Sequence, residues 1–277
     1  MTTNDLKKAS KQSSLYILLM LYLVMLSIPV IVQYGMIYSS NRIKAIYFNG
    51  MYSTFALEQT FLLLLLVPLF MSTAIIKSRG DISGILRNST PSKIVTEKLL
   101  VAMSKELLLI IIALPIDVFF IWIGGIQVMD ILADKLYLIL MSIFVSIIYI
   151  WCWTGIKKFN KAKGVTYIIE IIYVFILPLT IMVSSLVVKN QKISGSMSEN
   201  FIFQNPILCT FFNITPLGGY LYLLDSQELL IDYNIAWNMA HIMSVPGWAI
   251  SVISQIILII FFLSQAIKKI KLMNHNV

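Results

Sequence analysis

Three acidic side chains fall where an apolar chain has least use for them. Asp117, Glu58 and Glu170 each lie in or at the edge of a run of apolar residues long enough to cross a lipid bilayer. A carboxylate at mid-membrane costs about 2.5–3.5 kcal/mol on insertion scales, so function is the default suspicion for such a residue. Glu170, about a turn and a half inside its run, can reach Lys163 or the membrane interface, and Glu58 falls near the headgroup layer. Both read as structural. Asp117, two residues after Pro115, is the candidate for facing a polar pathway or a partner helix. Other chemistry is hard to assemble. His241 and His275 form no H-E-x-x-H or other metal spacing, no serine sits in G-x-S-x-G, and the 12 glycines build no G-x-x-x-x-G-K-[ST] phosphate loop. The chain is therefore not expected to be an enzyme by itself, nor to bind a cofactor or metal.

The elements that must position these residues are membrane helices. Of 277 residues, 58% are hydrophobic and only 12% charged, with a mean hydropathy of +0.86; soluble domains carry about 25% charged residues. Six apolar stretches, at approximately 15–38, 55–76, 101–124, 136–156, 165–188 and 246–267, each hold the roughly 20 residues that span a hydrocarbon core. The expected fold is an all-α membrane protein, one transmembrane domain of six helices. Most of the 21 Lys and Arg fall on alternate connections, as Lys7, Lys8 and Lys11, then 77–98, then Lys157 to Lys163, then Lys268 to Lys271. By the positive-inside rule both termini are then cytoplasmic. The first run, preceded by three lysines, imitates a signal peptide but is too long and lacks an A-x-A site, so it reads as an uncleaved span. The net charge of +8 is spread along membrane flanks rather than gathered on one face, which argues for anionic lipid and against nucleic acid as its partner. Cys152 and Cys209 fall on opposite sides of this topology and are expected to pack as free thiols.

Two connections exceed what a plain bundle needs. Between the second and third spans, Ile82, Ile85 and Leu86 recur at i, i+3, i+4, with Asp81 near the favourable end of the dipole. Thr90-Pro91 then reads as the N-cap and first residue of a second helix running into the third span. By its ridge alone the short helix suits either a rest on lipid headgroups or the docking of a cytoplasmic partner. Before the last span, 189–245 contains two apolar pieces led by Asn205-Pro206 and Thr215-Pro216, each too short to cross. They read as re-entrant or interfacial helices, since a free loop would not present Phe211, Phe212, Leu221 and Leu223 to water. Asn213-Ile-Thr215 fits a glycosylation sequon, but the Ile, Lys and Asn usage looks bacterial.

The order Gly84, Ile85, Leu86, Ser89, Thr90, Pro91, Ser92, Ile94, Val95, Lys98 resembles the coupling region of permease subunits of type-2 ATP-binding-cassette exporters. Six spans, internal termini and a long outer segment before the last span extend that resemblance along the chain. It implies a cytoplasmic coupling helix that docks a separate ATPase subunit through Asp81, Ile82, Ile85, Leu86 and Arg87, with ATP-Mg bound in that subunit and further contact from 5–15. It also implies a second permease chain, identical or related, and residence in a bacterial cytoplasmic membrane. The family's charged residues just before the glycine are only partly kept, as Lys77, Arg79 and Asp81. The pathway would be lined by the second and fifth spans, whose Phe55, Phe61, Phe70, Tyr167, Tyr173 and Phe175 suit an amphipathic or hydrophobic cargo, a toxin or antimicrobial peptide ahead of a lipophilic drug. At helical spacing the same aromatics also suit lipid-facing or core positions. A non-transporting membrane anchor or sensor, or an ATP-independent channel or transporter, stands as the competing reading.

Overall fold

The computed structural model describes residues 13–39, 45–76, 90–156, 159–178, 180, 206–226 and 247–275. All regular structure among them is helical: α1 (Ser13–Ser39), α2 (Ala45–Ile76), α3 (Pro91–Trp122), α4 (Val128–Ile156), α5 (Phe159–Glu170), α6 (Pro206–Ile214), α7 (Pro216–Ser226) and α8 (Gly247–His275). From Glu170 the α5 helix continues as a π-helix, Ile171–Ile176, so its backbone ladder widens by one residue within the apolar run. Four helices, α2, α3, α4 and α8, are long and apolar enough to cross a bilayer, and α1 adds a shorter apolar stretch, Leu19–Gly35. This is a multi-pass membrane protein.

The outward faces carry the same conclusion. Met20, Val24, Ile28 and Ile31 of α1, Leu107, Ile111, Leu114 and Val118 of α3, and Ile253, Ile257 and Ile260 of α8 recur at three- and four-residue spacing and are all exposed. Water would penalise such continuous apolar stripes, whereas lipid acyl chains accept them. Inside, α4 is the central element. It packs against α2, α3, α5, α7 and α8, and its stretch from Phe144 to Ile150 is buried at every position.

Helix ends follow local chemistry. Thr90 is the N-cap of α3 and Pro91 its first residue; the Thr90 hydroxyl lies 3.3 Å from that of Ser92 and makes no capping bond to the backbone. Proline also opens α6 and α7, and Thr215 does cap α7, its Oγ1 accepting from the Gly218 N–H at 3.2 Å. The turn from α3 to α4 closes when the Ile126 N–H returns to the Phe120 carbonyl at 3.3 Å, across Gly125 at φ +70. The left-handed backbone at that position is one a glycine adopts without penalty, and the return satisfies a carbonyl of the last turn of α3.

The helices extend beyond the runs read from sequence. α2 begins at Ala45 rather than near 55 and α4 at Val128 rather than 136, while α3 starts at Pro91, as Thr90-Pro91 led one to expect, and continues without a break through the third run. The reason in α4 is that Asp134 and Lys135 are paired inside the bundle and so do not end the span. Among the described residues Lys93, Lys98, Lys161, Lys163, Lys268, Lys269 and Lys271 lie toward one end of the bundle, where α3 and α5 begin and α8 finishes. The Gly125 turn and the α6–α7 pair occupy the other. Several expectations fall outside the described residues: the docking set Asp81, Ile82, Ile85, Leu86 and Arg87, most of 5–15, His241, and the last part of the fifth run. Cys152 is a buried free thiol, as expected.

One contact sets the spacing of α7 and α8. A Cβ on Gly219 would stand 2.1 Å from the Ser251 Cβ and 2.6 Å from the Tyr137 hydroxyl. In lipid such small-residue approaches let helices pack closely where no hydrophobic drive exists. Gly219→Ala is expected to lower stability by about 1–3 kcal/mol through overpacking, read as a lowered Tm in detergent or nanodiscs. Gly35→Ala, where a Cβ would have nothing within 4 Å, should leave the Tm unchanged or raise it.

Candidate functional site

The turn at Gly125 folds α3 and α4 into an antiparallel pair, so residues equidistant from it face one another. Asp117 stands eight positions before Gly125 and Asp134 nine after. This register brings Asp117 to the Asp134-Lys135 pair, and all three are buried, at 1%, 0% and 6% exposure. The Lys135 ammonium lies 3.0 Å from Asp117 Oδ1 and 3.1 Å from Asp134 Oδ2, and it donates a hydrogen bond to Gln59 Oε1 from α2. Its remaining side is aromatic, with Nζ 5.2 Å from the centre of Phe55 and 5.9 Å from that of Tyr52. Cations are drawn to such ring faces.

The two carboxylates are treated differently. Asp134 accepts from Tyr52 OH on Oδ2 at 2.9 Å and from Tyr220 OH on Oδ1, and Lys135 stands beside it. Asp117 has the ammonium, 3.0 Å from its Oδ1, and, among the described residues, no hydroxyl donor. The Tyr22 hydroxyl of α1, also buried, faces Gln59. Written as ionised groups, two carboxylates and one ammonium leave one negative charge in excess.

Tyr220 belongs to α7, so the network reaches out of the bundle and into the short-helix pair. A second polar cluster holds the same pair. Tyr137 of α4 donates to the Pro216 carbonyl at 2.8 Å, its oxygen lies 2.6 Å from Ser251 Oγ, and it accepts from Gln255 Nε2 at 3.1 Å. Ser251 donates to the Thr215 carbonyl at 3.1 Å and Ser254 to the Ile214 carbonyl at 2.9 Å. Tyr137 also stacks on Tyr220, with ring centres 5.5 Å apart. The α6–α7 pair is thus fastened to α4 and α8 by an ionic cluster and a hydroxyl cluster side by side.

Of the acidic residues singled out from sequence, Asp117 alone joins this network. Glu58 is half-buried, one step from Gln59, with Oε2 unbonded. Glu170 is 1% exposed at the start of the π-helix, and neither of its oxygens finds a partner, so the expected reach to Lys163 is not made. Burial of the carboxyl against neighbouring helices holds it away from the interface. Phe61 is 46% exposed and packs on Phe175 at 4.9 Å, while Tyr173 donates to the Ile214 carbonyl at 3.2 Å. Phe55 is interior, beside Lys135; Phe70 underlies Lys105, whose ammonium is 5.5 Å from the ring; Tyr167 donates to the Leu65 carbonyl at 2.9 Å. The aromatics of the second and fifth spans therefore divide among core, lipid face and helix contacts. Sequence reasoning missed Asp134 and Lys135 as partners of Asp117, although a short Gly-Gly turn between two long helices was signal enough. It also missed Glu106, which is buried and accepts from Ser146 at 3.4 Å across the same pair of helices.

Removing the ammonium strands two carboxylates. Lys135→Met is expected to cost about 3–5 kcal/mol, the range for breaking a buried ion pair from one side, and Tyr220→Phe about 1–3 kcal/mol for one lost donor. Thermal unfolding in nanodiscs measures both, and equal Tm values for Lys135→Met and wild type would show that the network contributes nothing. Among the described residues no group of three or more His, Cys, Asp or Glu is placed to hold a metal ion. Compared with family models, with curated proteins and with solved structures, the chain matches none.

Proposed function

We propose that this chain is the membrane-spanning permease subunit of an ATP-driven exporter of the type-2 ATP-binding-cassette kind. In this reading it crosses the membrane six times, with the lysine-rich end in the cytoplasm, as the positive-inside rule asks. The observation that carries the proposal is the continuity of α3. Its 32 residues run unbroken from Pro91 to Trp122, about 48 Å at 1.5 Å per residue. One end adjoins the 77–89 segment that resembles a coupling region, and the other holds Asp117 against Lys135. A push delivered at the cytoplasmic end has a continuous helical route, through Pro115, to the network that fastens α6–α7.

ATP binding in a separate subunit would draw two cytoplasmic domains together and load the coupling segment. The permease would then change between discrete packings, with α6–α7 docked in one and released in the other. A second permease chain completes the pathway, and an amphipathic or hydrophobic cargo leaves outward. A passive anchor would need only apolar packing, whereas a buried ionic cluster joined to a short helix pair supports a reading in which that pair acts as a gate.

Purification from native membranes is expected to bring down a soluble ATPase whose turnover rises on association. Alanine at Ile82, Ile85 and Leu86 should weaken that association by about tenfold or more, as loss of hot-spot contacts does, with membrane insertion unchanged. Labelling of a cysteine placed at Ser83 by an impermeant reagent on intact cells would put the segment on the wrong side and end the proposal.

A further inference from the structure

One face of α8 changes chemistry along its length in the order that a membrane lipid does. Ile253, Ile257, Ile260, Ser264, Lys268 and Lys271 recur at steps of four or three residues, so they form a single stripe, and every one of them is exposed. From Gly247 to Leu272 the helix has 26 residues, about 39 Å at 1.5 Å per residue, which matches a hydrocarbon core with one headgroup layer. The three isoleucines then stand at acyl depth. Ser264 narrows the stripe, since its side chain is small and its hydroxyl donates back to the Phe261 carbonyl at 2.7 Å. Lys268 and Lys271 follow about 6 and 10 Å further along the axis, at the level of the lipid phosphates.

The two exposed lysines are neighbours on the helix surface, where like charges repel. Lys269 between them is turned the other way. It is half-buried, and its Nζ lies 4.6 Å from the centre of the Trp151 ring on α4. Gly155 makes the room, because a Cβ there would stand 3.2 Å from that ammonium. Lys269 is thereby held against the bundle, and an indole at its level suits the membrane interface. Among the described residues both ion pairs belong to Lys135, so no described carboxylate pairs with Lys268 or Lys271.

We infer that Lys268 and Lys271 form a binding site for the phosphate of an anionic phospholipid whose acyl chains lie along Ile257, Ile260 and Phe261. A phosphodiester set between the two ammonium groups offsets their repulsion and offers charge-assisted acceptors to both. A zwitterionic lipid presents the same phosphate but brings a cation of its own, which the pair repels. An acidic segment of a soluble protein would meet the lysines alone, because the stripe beneath them runs into the hydrocarbon. The inference needs only that α8 crosses the membrane. It does not rest on ATP coupling or on which compartment the lysines face.

The test uses the full chain in nanodiscs of phosphatidylcholine with a small fraction of phosphatidylglycerol, followed by native mass spectrometry from detergent. Phosphatidylglycerol is expected to stay bound in excess over its share of the bilayer. Its affinity should fall about fivefold for each lysine removed, the weight of one basic side chain at an anionic surface, and so about 25-fold for Lys268→Gln with Lys271→Gln. Lys268→Arg with Lys271→Arg should retain it. Lys93→Gln with Lys161→Gln takes the same charge from exposed positions at the same end of the bundle and should leave retention unchanged. If the glutamine pair fails to insert, Lys271→Gln alone carries the test. Retention that survives the loss of the pair, that falls equally in the Lys93 and Lys161 control, or that shows no preference over phosphatidylcholine overturns the site. So does an acidic protein that copurifies from native membranes and is lost with the pair while phosphatidylglycerol stays bound.

Discussion

Lys135 is one ammonium inside a bundle whose exterior is lipid, and the surrounding architecture can be traced to what that charge demands. It needs oxygen atoms on several sides, and they come from α2 through Gln59, from α3 through Asp117 and from its own helix through Asp134. Asp134 in turn needs donors, supplied by Tyr52 of α2 and Tyr220 of α7. Any slip of α3 against α4 by a residue would separate Asp117 from Lys135. The Gly125 turn, fixed by its left-handed conformation, prevents that slip. Register, helix pairing and the seat of α7 are thus one linked condition.

Such a cluster does not provide the bulk of the stability. Lipid tails are as apolar as leucine, so helices associate through close packing and through hydrogen bonds rather than through hydrophobic exclusion. Packing here comes from α4, buried along most of its length, and from the close approach of Gly219 to Ser251. The polar groups select which packing is reached. They specify where α6–α7 sits, because only one placement satisfies Asp134, Tyr137, Ser251 and Ser254 together. A contact set of this kind is specific when made and costly when half-made, which favours two discrete positions over a continuum.

α3 carries Asp117 just past Pro115, so displacement of this helix acts on the ionic cluster. The hydroxyl cluster beside the ionic one holds the other half of the same helix pair. Glu106 and Glu170, both buried and one of them unbonded, extend the pattern of acidic groups inside the bundle. Asp117 differs from them in being linked, through Lys135 and Asp134, to Tyr220 of the short helix α7.

Apolar run length and hydropathy decided from sequence alone that the chain is helical and multi-pass, since only a hydrogen-bonded helix of about 20 apolar residues spans a bilayer unaided. Thr90-Pro91, Asn205-Pro206 and Thr215-Pro216 marked helix starts correctly because proline at the first position acts locally. Asp117 stood out because an acid in an apolar run needs no partner to be conspicuous. Its partners were decided by tertiary structure. Asp134 and Lys135 resembled the polar flank of a span, and only the antiparallel register about Gly125 turned them inward. Tyr220 is remote in sequence, and nothing local distinguishes a tyrosine that meets an aspartate from one that meets a headgroup. Local chemistry sets helix ends and membrane depth, but which buried charge finds which partner depends on distances that exist only once the helices are packed.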